Sequence, residues 1–290
     1  MIKRIVFDFK QKNMVIFESL SDFLLGLGVL SVEVFEDNNI LSSLCFEEMD
    51  VEGILKKAVS FLEFLGARGF KVKVEDFEEK DWVEEFKRFF KPFDMGKYFK
   101  IIPLWERNNK NLYSSNRINI IVEPGHAFGT GLHGTTALCA DFLKEYTQGK
   151  DSFSMLDAGT GSGILSVIGK KLGAKRITAF DIDPDCKDVF FKHFEINNLS
   201  LENVEFFIGT VNSLKKRKYH LVIANIIESV LREIVGDLRQ FVGDKLILSG
   251  VLEENSTDFE TFLEKEGLTI LKKRVYGEWA GYLIEVKDAD

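Results

Sequence analysis

The chain is 290 residues long, 45% apolar and 29% charged, with a formal net charge of −8. This composition excludes a disordered or fibrous protein and a mini-domain that would need stapling. The negative field disfavours a phosphate-backbone partner and suits a cationic one, most of all over residues 1–78, where nine basic side chains face fourteen acidic ones.

No apolar run approaches the roughly 20 residues that span a bilayer; Phe23 to Leu30 covers eight and includes two glycines. Lys3, Arg4, Asp8 and Lys10 interrupt the first ten residues, so no signal peptide is expected, and the chain is expected in the cytoplasm, away from membranes. Cys45, Cys139 and Cys186 are odd in number and far apart, which predicts reduced thiols. His126, His133, His193 and His220 form no HExxH or HxH pattern, so no metal is expected.

Ile5, Phe7 and Phe9 alternate with other residues as a strand does, and Phe17, Leu20, Phe23, Leu24 and Leu27 follow at helical spacing up to Gly26 and Gly28. Val32 and Val34 lead into Asp37-Asn38-Asn39, a hairpin signal, with Ile40 to Phe46 returning. A second helical stripe, Ile54, Ala58, Phe61 and Leu65, stops at Gly66, and Phe70, Val72 and Val74 alternate again. Strand, helix, strand, strand, helix, strand predicts a ferredoxin-like α+β domain over residues 1–78. Residues 79–93, with Trp82, Phe86, Phe89, Phe90 and Phe93 on a charged background, predict a linker helix closed by Pro92. Arg107 to Asn119 reads as a loop and Ile120 to Val122 as a short strand. Beyond residue 151 short apolar runs alternate with helices: Met155 to Ala158, Ile177 to Asp181, Val204 to Ile208, Leu221 to Ala224 and Leu246 to Leu248. That alternation predicts a parallel sheet covered on both faces, a doubly wound α/β domain over residues 94–290. Leu268 to Val275 and Tyr282 to Val286, joined through Glu278 to Gly281, predict an antiparallel hairpin at its edge.

The sharpest motif is the strand-to-helix turn Asp157-Ala-Gly159-Thr-Gly161-Ser-Gly163. A dinucleotide fingerprint would need its third glycine at position 164 and would lack the carboxylate in front. A carboxylate there repels pyrophosphate and suits the ammonium of an amino-acid-like ligand, so Asp157, Gly159, Gly161 and Gly163 favour S-adenosylmethionine over a nucleotide. Asp181 ends the next strand and is read as the acceptor of ribose hydroxyls, with a helix cap as the alternative and Asp183-Pro184 as the better cap. Asn225 follows four apolar residues at a strand end. Its side-chain oxygen, with the backbone carbonyl of Ile226, is read as the acceptor pair that aims an amine, and a simple strand terminator is the alternative. The run from Glu123 to Thr136 (EPGHAFGTGLHGTT) reads as a lid: Phe128 would cover the cofactor or sit in the core, and Thr135 and Thr136 would offer it hydroxyls or cap a helix. His133 is either a base or a structural histidine. Lys215 to Lys218 reads as a solvated loop, and no nucleic-acid role follows from it.

EPGHAFGTGLHGTT, LDAGTGSGIL, FDIDP and VIANI, in this order behind a ferredoxin-like start and DWVEEFKRFFKP, closely resemble the PrmA family, the bacterial methyltransferases of ribosomal protein L-eleven. The resemblance spans nearly the whole chain. It implies a class I methyltransferase (Rossmann-like) fold that binds S-adenosylmethionine through Thr136, Gly159, Asp181 and Asn225. It also implies an amino-terminal domain that recognises the basic ribosomal protein, a flexible linker, and methylation of the α-amine and lysine ε-amines up to trimethyl. A monomer is expected. Glu123, Leu132 and Thr160 stand where the family usually has Asp, Thr and Cys. Two other classes remain open on the residues: an enzyme for a small-molecule or nucleic-acid amine, and a cofactor-binding module without turnover.

Overall fold

A computed structural model describes residues 2–10, 13–35, 39–46, 49–77, 90–123 and 134–286. The chain divides into two compact units, Met1–Phe90 and Lys91–Asp290. No helix among the described residues is long and apolar enough to cross a membrane.

The first unit runs β1 (Ile2–Phe9), α1 (Met14–Gly26), β2 (Ser31–Phe35), β3 (Ile40–Phe46), α2 (Val51–Phe64) and β4 (Phe70–Phe77). Its antiparallel sheet has the order β2-β3-β1-β4, the ferredoxin-like arrangement. Asn13 caps α1 by accepting from the Ile16 N–H, and Asp50 caps α2 by accepting from the Gly53 N–H. The core gathers Ile5, Phe7 and Phe9 under Phe17, Leu20 and Leu24 of α1 and Ile54, Ala58 and Leu62 of α2. The buried stripe of α2 therefore turns through Leu62, while Phe61 and Leu65 sit at its margin. Val74 is exposed because β4 is an edge strand. The expected hairpin residues Asp37 and Asn38 lie outside the described residues. So do Trp82, Phe86, Phe89 and most of the expected linker helix.

Phe93 does not end a helix. Freed by Pro92, it opens β5 (Phe93–Met95), which with β6 (Phe99–Pro103) and β7 (Ile118–Val122) forms a three-stranded sheet. The Asn-rich stretch is also shorter than expected, for Asn119 lies inside β7. Its side chain holds both the N–H and the carbonyl of Ser114, so a loop-forming residue braces the loop from within the strand.

The rest of the second unit is α3 (Gly134–Tyr146), β8 (Phe153–Ala158), α4 (Ile164–Lys171), β9 (Ala174–Asp181), α5 (Cys186–Ile196), β10 (Val204–Ile208), β11 (Tyr219–Asn225), α6 (Glu228–Leu238), β12 (Val242–Leu252), α7 (Ser256–Lys265), β13 (Leu268–Tyr276) and β14 (Trp279–Val286). Seven strands lie in the order β10-β9-β8-β11-β12-β14-β13. β8 to β12 are mutually parallel, and β14 runs antiparallel between β12 and β13. The parallel strands read as unbroken apolar runs because helices cover both faces; Leu156, Val222, Ala224, Leu246 and Leu248 meet Leu231, Val235 and Phe259 in one cluster. The expected edge hairpin is present with a tighter turn. Tyr276 pairs with Trp279, so Ala280 and Gly281 belong to β14 and only Gly277 and Glu278 connect the strands. All three cysteines are free and buried.

Candidate active site

Strand register sets the site. Ala158 of β8 is level with Phe180 of β9 and with Ala224 of β11. The following residues, Gly159, Asp181 and Asn225, therefore stand in one row at the carboxyl ends of three adjacent parallel strands. β8 is also where the order reverses, β9 and β10 continuing to one side and β11 and β12 to the other. Loops leaving such a point diverge and open a crevice.

On the β9 side, the turn from β8 into α4 leans on the neighbouring strand end. Thr160 N–H donates to the Phe180 carbonyl at 3.0 Å, and Gly161 N–H donates to Asp181 Oδ2 at 2.8 Å. Asp181 Oδ1 accepts from Asp183 N–H at 3.0 Å. Carboxylate oxygens accept more than one hydrogen bond each, so Asp181 keeps capacity for ligand hydroxyls. Asp183 was expected to cap the next helix, but α5 begins only at Cys186, and the Asp183 side chain instead accepts from Asp185 N–H at 2.9 Å, closing the turn around Pro184.

Two expected cofactor contacts, Asp157 and Gly163, have other duties in the structure. Asp157, 1% exposed, accepts from Thr160 Oγ1 at 2.7 Å and Ser166 Oγ at 2.6 Å, and burial pushes its carboxyl up to about 6. It anchors the loop from beneath and offers almost no surface for an ammonium to touch. Gly163 has a left-handed backbone (φ +78°), and a Cβ there would lie 2.5 Å from the Phe190 ring of α5, so helix packing demands this glycine. Thr135 and Thr136 are fully buried in the first turn of α3, which starts one residue before the expected cap. Phe128, His126, Leu132, His133 and most of the expected lid lie outside the described residues.

Sequence patterning missed a brace behind this turn. His193, 2% exposed, donates from Nδ1 to the Ser162 carbonyl at 2.6 Å and accepts at Nε2 from Glu123 N–H at 3.0 Å, which fixes a neutral ring. Burial lowers its basicity from the usual histidine range. One turn on, Asn197 takes the Ile121 N–H at 2.9 Å and donates to the Ile121 and His193 carbonyls. A polar residue pair spaced i, i+4 on an otherwise apolar helix face was the available signal.

On the β11 side, Asn225 Nδ2 donates to Thr136 Oγ1 at 3.3 Å, and among the described residues no donor pairs with its carbonyl Oδ1. Ile226 N–H donates to the Ser249 carbonyl of β12 at 3.1 Å. The Ile226 carbonyl, expected to help receive an amine, is turned against Gly250, so Asn225 Oδ1 is the acceptor that remains at the row.

The model of the family Ribosomal protein L11 methyltransferase (PrmA) matches residues 16–287. The chain belongs to that family. It is 32% identical over 284 residues to the ribosomal protein L11 methyltransferase of Staphylococcus carnosus, covering 93% of this chain and 89% of the relative. It is 34% identical over 244 residues to that of Thermoanaerobacter pseudethanolicus, covering 82% and 76%. Among solved structures, the ribosomal protein L11 methylase of Lactobacillus delbrueckii subsp. bulgaricus superposes with a TM-score of 0.60 at 25% identity, over 68% of this chain and all of that one.

Proposed function

We propose that Gly159, Gly161 and Asp181 hold S-adenosylmethionine and that Asn225 aims the accepting amine. Family membership makes the chain an S-adenosylmethionine-dependent methyltransferase of ribosomal protein L11. The observation that carries the residue roles is the row of Gly159, Asp181 and Asn225 at the switch point of the sheet. The row fits the cofactor's chemistry: Gly159, packed under the Ile226 side chain, adds no side chain of its own to the strand end, Asp181 accepts hydroxyls, and the buried Asp157 places negative charge beneath a cationic group.

When bound, the cofactor supplies an electrophilic methyl on a positively charged sulfur. The chain's own part is to hold a neutral amine in line with it. Asn225 Oδ1 accepts one N–H of that amine and so directs its lone pair away from the acceptor and into the crevice. No described histidine serves as base: His193 has both ring nitrogens on backbone groups, and His220, at the amino end of β11, binds Ser154. The amine reacts in its neutral form, and for a lysine (about 10.4) or an α-amine (about 8) desolvation beside a cationic ligand favours loss of the proton.

The acceptors we assign are the α-amine and lysine ε-amines of the ribosomal protein, carried to trimethyl. The first unit recognises that basic substrate with its acidic surplus, and the enzyme works as a cytoplasmic monomer. Incubation with S-adenosylmethionine and unmethylated ribosomal protein, followed by intact and peptide mass spectrometry, tests this. Added mass in steps of about 14 daltons on those amines is expected, and the steps should vanish with Asn225→Ala. Methyl groups elsewhere, or an unaffected Asn225→Ala variant, would refute the assignment.

A further inference from the structure

β12 carries a bulge beside the row. Ser249 pairs with Gly281 of β14 and Val251 with Ala280, which leaves Gly250 as the extra residue between them. Gly250 has a left-handed backbone (φ +106°). A Cβ there would overlap the Ile226 carbonyl oxygen and lie 2.6 Å from its carbon and 3.2 Å from the Ile227 nitrogen. All three atoms are backbone, so no side-chain rotation relieves the clash. The same short segment is gripped from two other directions. Ile226 N–H is bonded to the Ser249 carbonyl, and the Ile226 side chain lies over Gly159, where a Cβ would be 2.7 Å from it. Ser249 is itself fixed, its buried hydroxyl donating to the Ala280 carbonyl at 2.9 Å.

We propose that Gly250 is a positioning residue for methyl transfer: by letting the Ile226 peptide rest against the β12 bulge, it sets the direction in which the preceding residue, Asn225, presents its side-chain oxygen. The inference rests on the assignment of Asn225 as the amine acceptor. It assigns Gly250 no contact with cofactor or substrate. Bulges next to reactive sites re-aim side chains, and displacement of a positioning group by about an ångström costs about 100-fold in rate. Gly250 meets the backbone of this segment, whereas Gly159 is met only by the rotatable side-chain carbons of Ile226 and Asp181 lies three strands from β12, so cofactor affinity should be spared.

The test compares Gly250→Ala, Ser249→Ala, Gly277→Ala and Asn225→Ala in the full-length enzyme, reading kcat, KM for the ribosomal protein, adenosylhomocysteine affinity by calorimetry and the melting temperature. Gly250→Ala is expected to lower kcat about 100-fold while cofactor affinity stays within about threefold. Gly277 has a comparable left-handed backbone (φ +61°) with open space around its Cβ direction, so its variant controls for backbone strain and should keep the wild-type kcat. An active Gly250→Ala enzyme, a matched loss of cofactor affinity, or an equal kcat loss in Gly277→Ala overturns the proposal. Should Gly250→Ala fail to fold, Ser249→Ala decides: about a fivefold lower kcat at unchanged cofactor affinity supports the bulge as the positioning element, and an unchanged kcat overturns it. If Asn225→Ala keeps its rate, the reading of the site itself fails; if that variant is crippled while Gly250→Ala is active, only the present inference does.

Discussion

The two sides of the strand-end row are held by different physics. On the β9 side nearly every tie is polar: Asp157 gathers two hydroxyls, Asp181 two backbone N–H groups, and His193 ties the turn to β7 through its imidazole. On the β11 side the Asn225–Ile226 segment is wedged between backbone at Gly250 and the bare turn at Gly159, with one long side-chain hydrogen bond to Thr136. The contrast follows from what each side must do. A cationic ligand is held by fixed negative charge, and carboxylates in a turn need hydrogen-bond partners to stay put. An amine acceptor must keep its oxygen unpaired, so it is placed by shape instead of by more hydrogen bonds. The β9 side should therefore fail when polar groups are removed, and the β11 side when volume is added.

The largest break is expected at Asp181. Asp181→Ala removes the partner of two backbone N–H groups together with the ribose acceptor. Hydrogen bonds to a charged group contribute about 1.5–3 kcal/mol each, so adenosylhomocysteine affinity should fall about 1000-fold in calorimetry. A loss below about tenfold would mean that the turn holds its ligand without this carboxylate.

Next comes His193→Phe, which puts a somewhat larger apolar ring in place of the imidazole and removes its hydrogen bonds to the Ser162 carbonyl and the Glu123 N–H. At about 1–3 kcal/mol for each unsatisfied group, unfolding stability should drop by about 4 kcal/mol. Its pH signature has a definite sign. Burial holds the folded-state basicity of His193 below the unfolded value of about 6.5, so the wild type loses stability as pH falls below that value and on through the depressed one. Glu123, the charged group facing the ring, moderates the depression without reversing it. Denaturant titrations between pH 7.5 and 5 should show the difference between wild type and His193→Phe shrinking toward acid, and a constant difference would contradict the neutral brace.

Much of the β9 side was legible in the sequence, because a glycine-spaced turn between an apolar strand and a helix, followed by an acidic strand end, is a local pattern. What escaped was the division of labour inside it. Asp157 and Gly163 are at the expected positions but face Ser166 and Phe190, contacts made by residues nine and twenty-seven positions away that no motif spacing encodes. The row itself needs the register of three strands, and His193 acts on β7 from seventy residues further along the chain. The β11 side was legible only as Asn225 at a strand end. Gly250 lies within an apolar strand pattern, and its constraint comes from a peptide twenty-four residues earlier that only the β11–β12 pairing brings alongside. Of the small sheet only Ile120 to Val122, the end of β7, was legible; β5 and β6 were missed because strands of three to five residues are too short for alternation to be read.

Asp157→Asn sharpens the same contrast by removing charge while keeping shape. Burial pushes its folded carboxyl up to about 6 against about 3.9 unfolded, which corresponds to about 2–3 kcal/mol. For a raised carboxyl the favourable contribution is complete below about pH 4 and is lost as pH rises toward 6. The neutral variant should be more stable than wild type by about 2 kcal/mol at pH 8, with the gain vanishing near pH 4, while cofactor affinity falls for want of the charge. Equal stability at pH 8 would show that the two hydroxyls fully offset the burial of the ionised group.

The smallest effect is expected at the side-chain hydrogen bond that Asn225 makes on the β11 side. Thr136 is fully buried, so valine replaces it without loss of volume, and what disappears is the 3.3 Å bond from Asn225 Nδ2. A bond that long is worth less than about 1 kcal/mol, and kcat should fall only about three- to fivefold, with adenosylhomocysteine affinity unchanged. The direction of failure is informative. If affinity falls tenfold or more and kcat does not, Thr136 touches the cofactor directly, as its position beside a glycine-rich segment suggests from sequence, and the β11 side then has a polar ligand contact of its own. If only kcat moves, the hydroxyl acts through Asn225, and shape remains the main force that aims the amine.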